Sequence, residues 1–72
     1  MQFAICLDNE GYEASLEIGK LYQVIPDEEA VRHGYVRLID ESGEDYVFTE
    51  SRFHVLQLPL PVEKALLSAL QV

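Results

Sequence analysis

The stretch Tyr35-Val36-Arg37-Leu38-Ile39-Asp40-Glu41-Ser42-Gly43-Glu44-Asp45-Tyr46-Val47-Phe48-Thr49 decides the fold. Tyr35 to Asp40 and Asp45 to Thr49 are rich in β-branched and aromatic residues, and they flank the turn-forming Glu41-Ser42-Gly43-Glu44. Two such runs around a Ser-Gly pair predict a β-hairpin. A two-residue loop at Ser42-Gly43 would set Glu41 opposite Glu44 and Asp40 opposite Asp45. Like charges directly across a hairpin repel by about 0.2–1 kcal/mol per pair. Such a tip calls for a compensating contact, from a basic surface on a partner or from a divalent cation. The same register places Tyr35, Arg37, Ile39, Tyr46 and Phe48 on one face and Val36, Leu38 and Val47 on the other. With the aliphatic set turned to the core, the aromatic and arginine face has the composition enriched in protein interfaces. The candidate partner-binding residues are Tyr35, Arg37, Tyr46 and Phe48 on that face and Asp40, Glu41, Glu44 and Asp45 at the tip.

Outward from the hairpin, Gln2 to Leu7 (QFAICL) is an apolar run ended by Asp8-Asn9-Glu10-Gly11, and Lys20 to Pro26 (KLYQVIP) opens after Gly19. Both read as strands. Asp27 to Gly34 begins acidic, ends basic and closes on glycine, as a short capped helix does. Glu50 to Phe53 reads as a tight turn, His54 to Gln57 as a last strand, and residues 58–61 (Leu-Pro-Leu-Pro) as a stiff connector. Over 62–71 Val62, Leu66, Ala69 and Leu70 recur at helical spacing and predict one apolar stripe. That stripe could cover the aromatic hairpin face or dock on a second copy. The expectation is a mainly β domain of 1–72, with a small five-stranded barrel over 1–57, a short inserted helix and a C-terminal helix.

The order AICLD, LEIGKLYQV, hairpin, ESRF and HVL resembles the layout of SH3 domains: first strand, RT loop, diverging turn, distal hairpin, 3₁₀ turn and closing strand. The resemblance spans about residues 4–57 and implies an SH3-like barrel. It does not carry over the groove for proline-rich peptides. The chain has no tryptophan, Asn9 follows Asp8 where the pattern favours an aromatic, and Thr49 stands in the place of the 3₁₀-turn proline; only Phe53 matches. The chain is also similar to a group of short uncharacterised bacterial proteins with an IDESGEDY-like hairpin and an LP-rich link to a C-terminal helix, a resemblance that implies no activity.

Seventy-two residues hold one core, and a core of this size rarely supplies more than about 3–5 kcal/mol. Cys6 is the sole cysteine, so neither an internal disulfide nor a CxxC zinc site can form. Thirteen acidic against five basic residues give a net charge of −8, which repels nucleic-acid phosphates and anionic membranes. Without an apolar span or a signal-like start, the expected location is the cytoplasm. His33 and His54 stand in no nucleophile–base motif, and neither acidic cluster has the ligand spacing of a calcium loop. No cofactor is expected. The leading expectation is a non-catalytic interaction module, monomeric or homodimeric, that binds another protein. The alternatives are a metal-dependent or small-molecule-binding enzyme subunit using Asp40, Asp45 and His54, and an acidic mimic of nucleic acid.

Overall fold

A computed structural model describes residues 1–70. Among them are five strands, β1 (Gln2–Cys6), β2 (Leu21–Ile25), β3 (Tyr35–Ile39), β4 (Asp45–Thr49) and β5 (Phe53–Gln57). Helix α1 (Glu28–Arg32) joins β2 to β3, a 3₁₀ turn (Glu50–Arg52) joins β4 to β5, and α2 (Leu60–Leu70) follows β5. The strands form one antiparallel sheet in the order β4-β3-β2-β1-β5. Among the described residues no ladder joins β4 to β5, so the sheet has two edges. No helix there is long and apolar enough to cross a membrane.

The hairpin register differs from the sequence expectation by one residue. Tyr35 pairs with Thr49, Val36 with Phe48, Arg37 with Val47, Leu38 with Tyr46 and Ile39 with Asp45. The cause lies in the turn. A two-residue type I′ loop needs positive φ at both central residues. Gly43 supplies it at φ 83°, but no residue other than glycine has positive φ among the described residues, Ser42 included. The chain instead closes a three-residue loop, Glu41-Ser42-Gly43. The Gly43 N–H donates to the Asp40 carbonyl at 3.0 Å, and the Asp40 N–H donates to the Glu44 carbonyl at 3.0 Å. The Asp40 carboxylate reinforces the turn by accepting from the Ser42 N–H at 2.8 Å and from its hydroxyl.

A one-residue slip turns β4 over, because side chains alternate with period 2. Phe48 is 5% exposed and joins Val36 and Leu38 in the core, whereas Val47 is 38% exposed on the opposite face. The expected face of Tyr35, Arg37, Ile39, Tyr46 and Phe48 therefore does not exist as one surface. The expected repulsive pairs are also gone: Asp45 lies opposite Ile39, and Glu41 and Glu44 do not pair.

The core gathers Ala4, Cys6, Tyr22, Val24, Val36, Leu38, Phe48 and Phe53 from all five strands, with Val55 against them. Leu16, from the long loop between β1 and β2, completes it. The Asn9 amide holds that loop by donating to the Leu16 carbonyl at 3.0 Å. Phe3 lies on the other face of the sheet, opposite Gln23 and Leu56, and is fully buried there. Helix α2 covers that face: Leu67 shares a cleft with Gln23 and Ile39, and Glu63 pairs with the Met1 amino group at 3.4 Å. The inward residues are Glu63, Leu66 and Leu67, at i, i+3 and i+4, not the stripe expected from the sequence. Val62 is 45% exposed and Ala69 is exposed. Position 71 and the Leu70 side chain, both part of that expectation, lie outside the described residues.

This register predicts unequal effects at adjacent positions. Phe48→Ala should cost about 3–5 kcal/mol, enough to unfold a chain of this size, while Val47→Ala should change stability by less than about 0.5 kcal/mol. Urea unfolding of the two variants checks it. Gly43→Ala meets no neighbouring atom within 4 Å, so its cost is conformational, about 1 kcal/mol, and Gly43→Asn should lose less.

Candidate interaction surface

The expected acidic tip is built into the fold. Asp40 is buried with its turn contacts satisfied by Ser42. The Glu41 N–H donates to the Ser15 carbonyl at 3.0 Å, which ties the hairpin to the long loop. The Glu41 carboxylate accepts from Lys20 Nζ at 2.7 Å and from the Tyr22 hydroxyl at 2.5 Å. Lys20, followed by Tyr22, holds the Glu41 carboxyl below its ordinary range. Burial, reinforced by Glu41, pushes the Tyr22 phenol upward, so it stays a donor. The same phenol accepts from the Glu17 N–H at 2.8 Å. One buried tyrosine thus joins β2, the long loop and the hairpin tip.

Arg37, expected to face a partner, is engaged on both sides. Its Nε donates to Asp27 at 2.8 Å and its Nη1 to Asp45 at 3.1 Å. Asp27 also caps α1 by accepting from the Ala30 N–H at 3.0 Å. That backbone bond first, and Arg37 second, lower the Asp27 carboxyl below its usual range. Asp27–Arg37–Asp45 therefore fastens α1, β3 and β4 together.

Tyr46 and Tyr35 remain open, at 49% and 41% exposure, and Val47 stands beside Tyr46 at the edge. The Tyr46 hydroxyl donates to Glu44 at 3.1 Å. The long loop adds Tyr12, whose ring meets Phe48 edge-on at a centroid distance of 5.2 Å. Arg52 lies over the Tyr12 ring at 4.9 Å and donates to the Glu10 carbonyl at 2.9 Å. Between Tyr12, Ser15 and β4 runs a groove of about 390 Å³, lined also by Asp40, Ser42 and Tyr46. Of the expected contact residues, then, Tyr46 and Tyr35 face solvent, Phe48 is core, and Arg37, Asp40, Glu41 and Asp45 make structural contacts. Sequence reading missed Tyr12 and the Lys20–Tyr22 pair. The available signal was a tyrosine in a mostly apolar strand, whose hydroxyl needs a partner once buried.

The residues that could carry chemistry are kept apart. Cys6 pairs with Phe53 and His54 with Ile5, so the Cys6 thiol and the exposed His54 ring point to opposite faces of the sheet. Burial pushes the Cys6 thiol up, away from the thiolate. Asp40 and Asp45 also point to opposite faces, since Asp40 continues the Val36–Leu38 side and Asp45 lies opposite Ile39. Among the described residues no three His, Cys, Asp or Glu side chains gather as a metal site would require. No protein-family model, curated protein or solved structure matches the chain, so its functional reading rests on its own chemistry.

The Glu41 network has a pH signature. A carboxyl lowered on folding stabilises fully above its unfolded value, about 4.3, and that contribution is lost as pH falls through the folded value. Glu41→Gln should be less stable than the parent chain at pH 7, and the gap should close between about pH 5 and pH 3. Tyr22→Phe should lose about 1 kcal/mol at pH 7. Thermal melts across pH measure both.

Proposed function

We propose that this chain is a non-catalytic, acidic, cytosolic module of SH3-like fold that binds another protein through the outer strand of its hairpin and the adjoining tyrosines. The observation that carries the reading is β4 itself. It is an edge strand, and four of its five side chains are exposed, Tyr46 and Val47 among them. In a core this small, apolar surface left in water is an expense that a partner would recover. Helix α2, the element free to cover it, lies instead over Phe3 and Gln23.

The SH3-like assignment draws on the strand order, the long loop after β1 and the 3₁₀ turn before β5. Polyproline docking is not part of it, because Tyr12 is the aromatic that the long loop supplies and no tryptophan stands beside it. The tip acts as a brace through Glu41 and Asp40, and the contact surface moves from the tip to the edge.

The test is site-specific photo-crosslinking in cells that make the protein. A crosslinking residue at Val47 should yield one discrete adduct with another protein, and the same residue at exposed His54, on β5 at the opposite edge of the sheet, should not. Identical adduct patterns from the two positions would overturn the reading.

A further inference from the structure

We propose that β4 takes up an extended, basic segment of another protein as an added antiparallel strand, an inference that rests on the interaction reading above and gives its mode and partner chemistry. The hydrogen-bond parity of the hairpin fixes which groups are available. The Asp40 N–H donates to Glu44, and the Glu50 N–H donates to Gly34, so Tyr46 and Phe48 between them turn their backbone groups toward β3. Asp45, Val47 and Thr49 turn theirs away from the sheet. These N–H and C=O groups form a ready template for another strand.

Edge strands are ordinarily blunted by lysine, proline, an inward-pointing charge or a covering loop. Asp45 through Thr49 contains neither lysine nor proline, and its exposed members include Tyr46 and Val47. The bulge at Gly43 lies beyond its first residue and leaves the rest of the strand regular.

Charge selects the occupant. Glu44 and Glu50 bracket the strand, and neither makes an ion pair among the described residues. The nearby cations are spent: Lys20 on Glu41, Arg37 on Asp27 and Asp45, Arg52 on Asp8. A second copy pairing about a two-fold axis at Val47 would bring Glu44 of each copy opposite Glu50 of the other, on a chain of net charge −8. Like charges directly opposed destabilise a ladder, so self-pairing is disfavoured. A segment with Lys or Arg opposite Glu44 and Glu50 reverses the sign. Residues opposite Tyr46 and Phe48 would lie on the Tyr12 side, above the groove, where apolar side chains suit Tyr12 and Tyr46. The recognised pattern is basic, any, apolar, any, apolar, any, basic.

The probe is the blocked heptapeptide Lys-Thr-Val-Thr-Val-Thr-Lys, which reads the same in both directions, titrated into the full isotope-labelled chain. Bound peptide should slow hydrogen exchange of the Val47 and Thr49 amides. The same peptide N-methylated at its three threonines keeps the charge but loses the donors, and it should bind about tenfold or more weakly. A peptide with Glu at both ends should not bind. Three results would overturn the proposal: no protection with the lysine peptide, equal binding of the N-methylated one, or protection of Val47 and Thr49 without peptide in a chain of dimeric mass. The crosslinking experiment at Val47 stands apart from these, so a failed strand addition leaves the interaction reading to its own test.

Discussion

The rest of the structure depends on the Asp40 carboxylate holding the Ser42 N–H while Gly43 takes a left-handed conformation. That turn makes the loop three residues long and fixes the pairing of Val36 with Phe48. Everything downstream follows by alternation. Phe48 enters the core, where Tyr12 packs edge-on and Phe53 tilted against it, and Val47 is left at the rim. Asp45 comes to the Arg37 side and Glu41 to the Lys20 and Tyr22 side, so one charge of each pair that would repel in the shorter loop finds a basic partner.

A domain this small has little stability to spare, and its polar contacts join elements that are far apart in sequence. Tyr22 reaches Glu17 and Glu41, Asp27 links α1 to β3, and Glu41 meets Ser15 in the long loop. The apolar layers are divided between the two faces of the sheet. One face gathers the nine-residue core with Val55; the other is Phe3 under α2. Because α2 lies on the Gln23 face and β5 pairs with β1, no strand or helix among the described residues pairs with the outer edge of β4. The division of cover explains how a chain of ordinary composition keeps an open edge.

Much of this was legible in the residues. Apolar, β-branched and aromatic runs between turn residues located all five strands, Asp27 and Gly34 bounded α1, and the tight turn at Glu50 is the 3₁₀ turn. The hairpin was found but not its register, because Ser-Gly suits a two-residue loop by composition, and choosing between loops requires knowing which residue accepts positive φ. The helix was found but not its inward face, since Val62, Leu66 and Ala69 fit a helical stripe as well as Glu63, Leu66 and Leu67 do. The site residues inherited both errors. Phe48 counted as surface and Tyr12 did not enter, for the loop that carries Tyr12 has no periodicity and gains its place through tertiary contacts of Leu16, Asn9, Ser15 and Glu17.

Hydrogen exchange of the individual β4 amides in the free, full chain tests the central claim most directly. The register set by Asp40 and Gly43 predicts slow exchange at Tyr46 and Phe48, whose N–H groups point to β3, and fast exchange at Val47 and Thr49, which point to solvent. Slow exchange at Val47 and Thr49 in the free chain would mean that the outer side of β4 is already paired or covered, that no edge of the kind described exists, and would contradict the account.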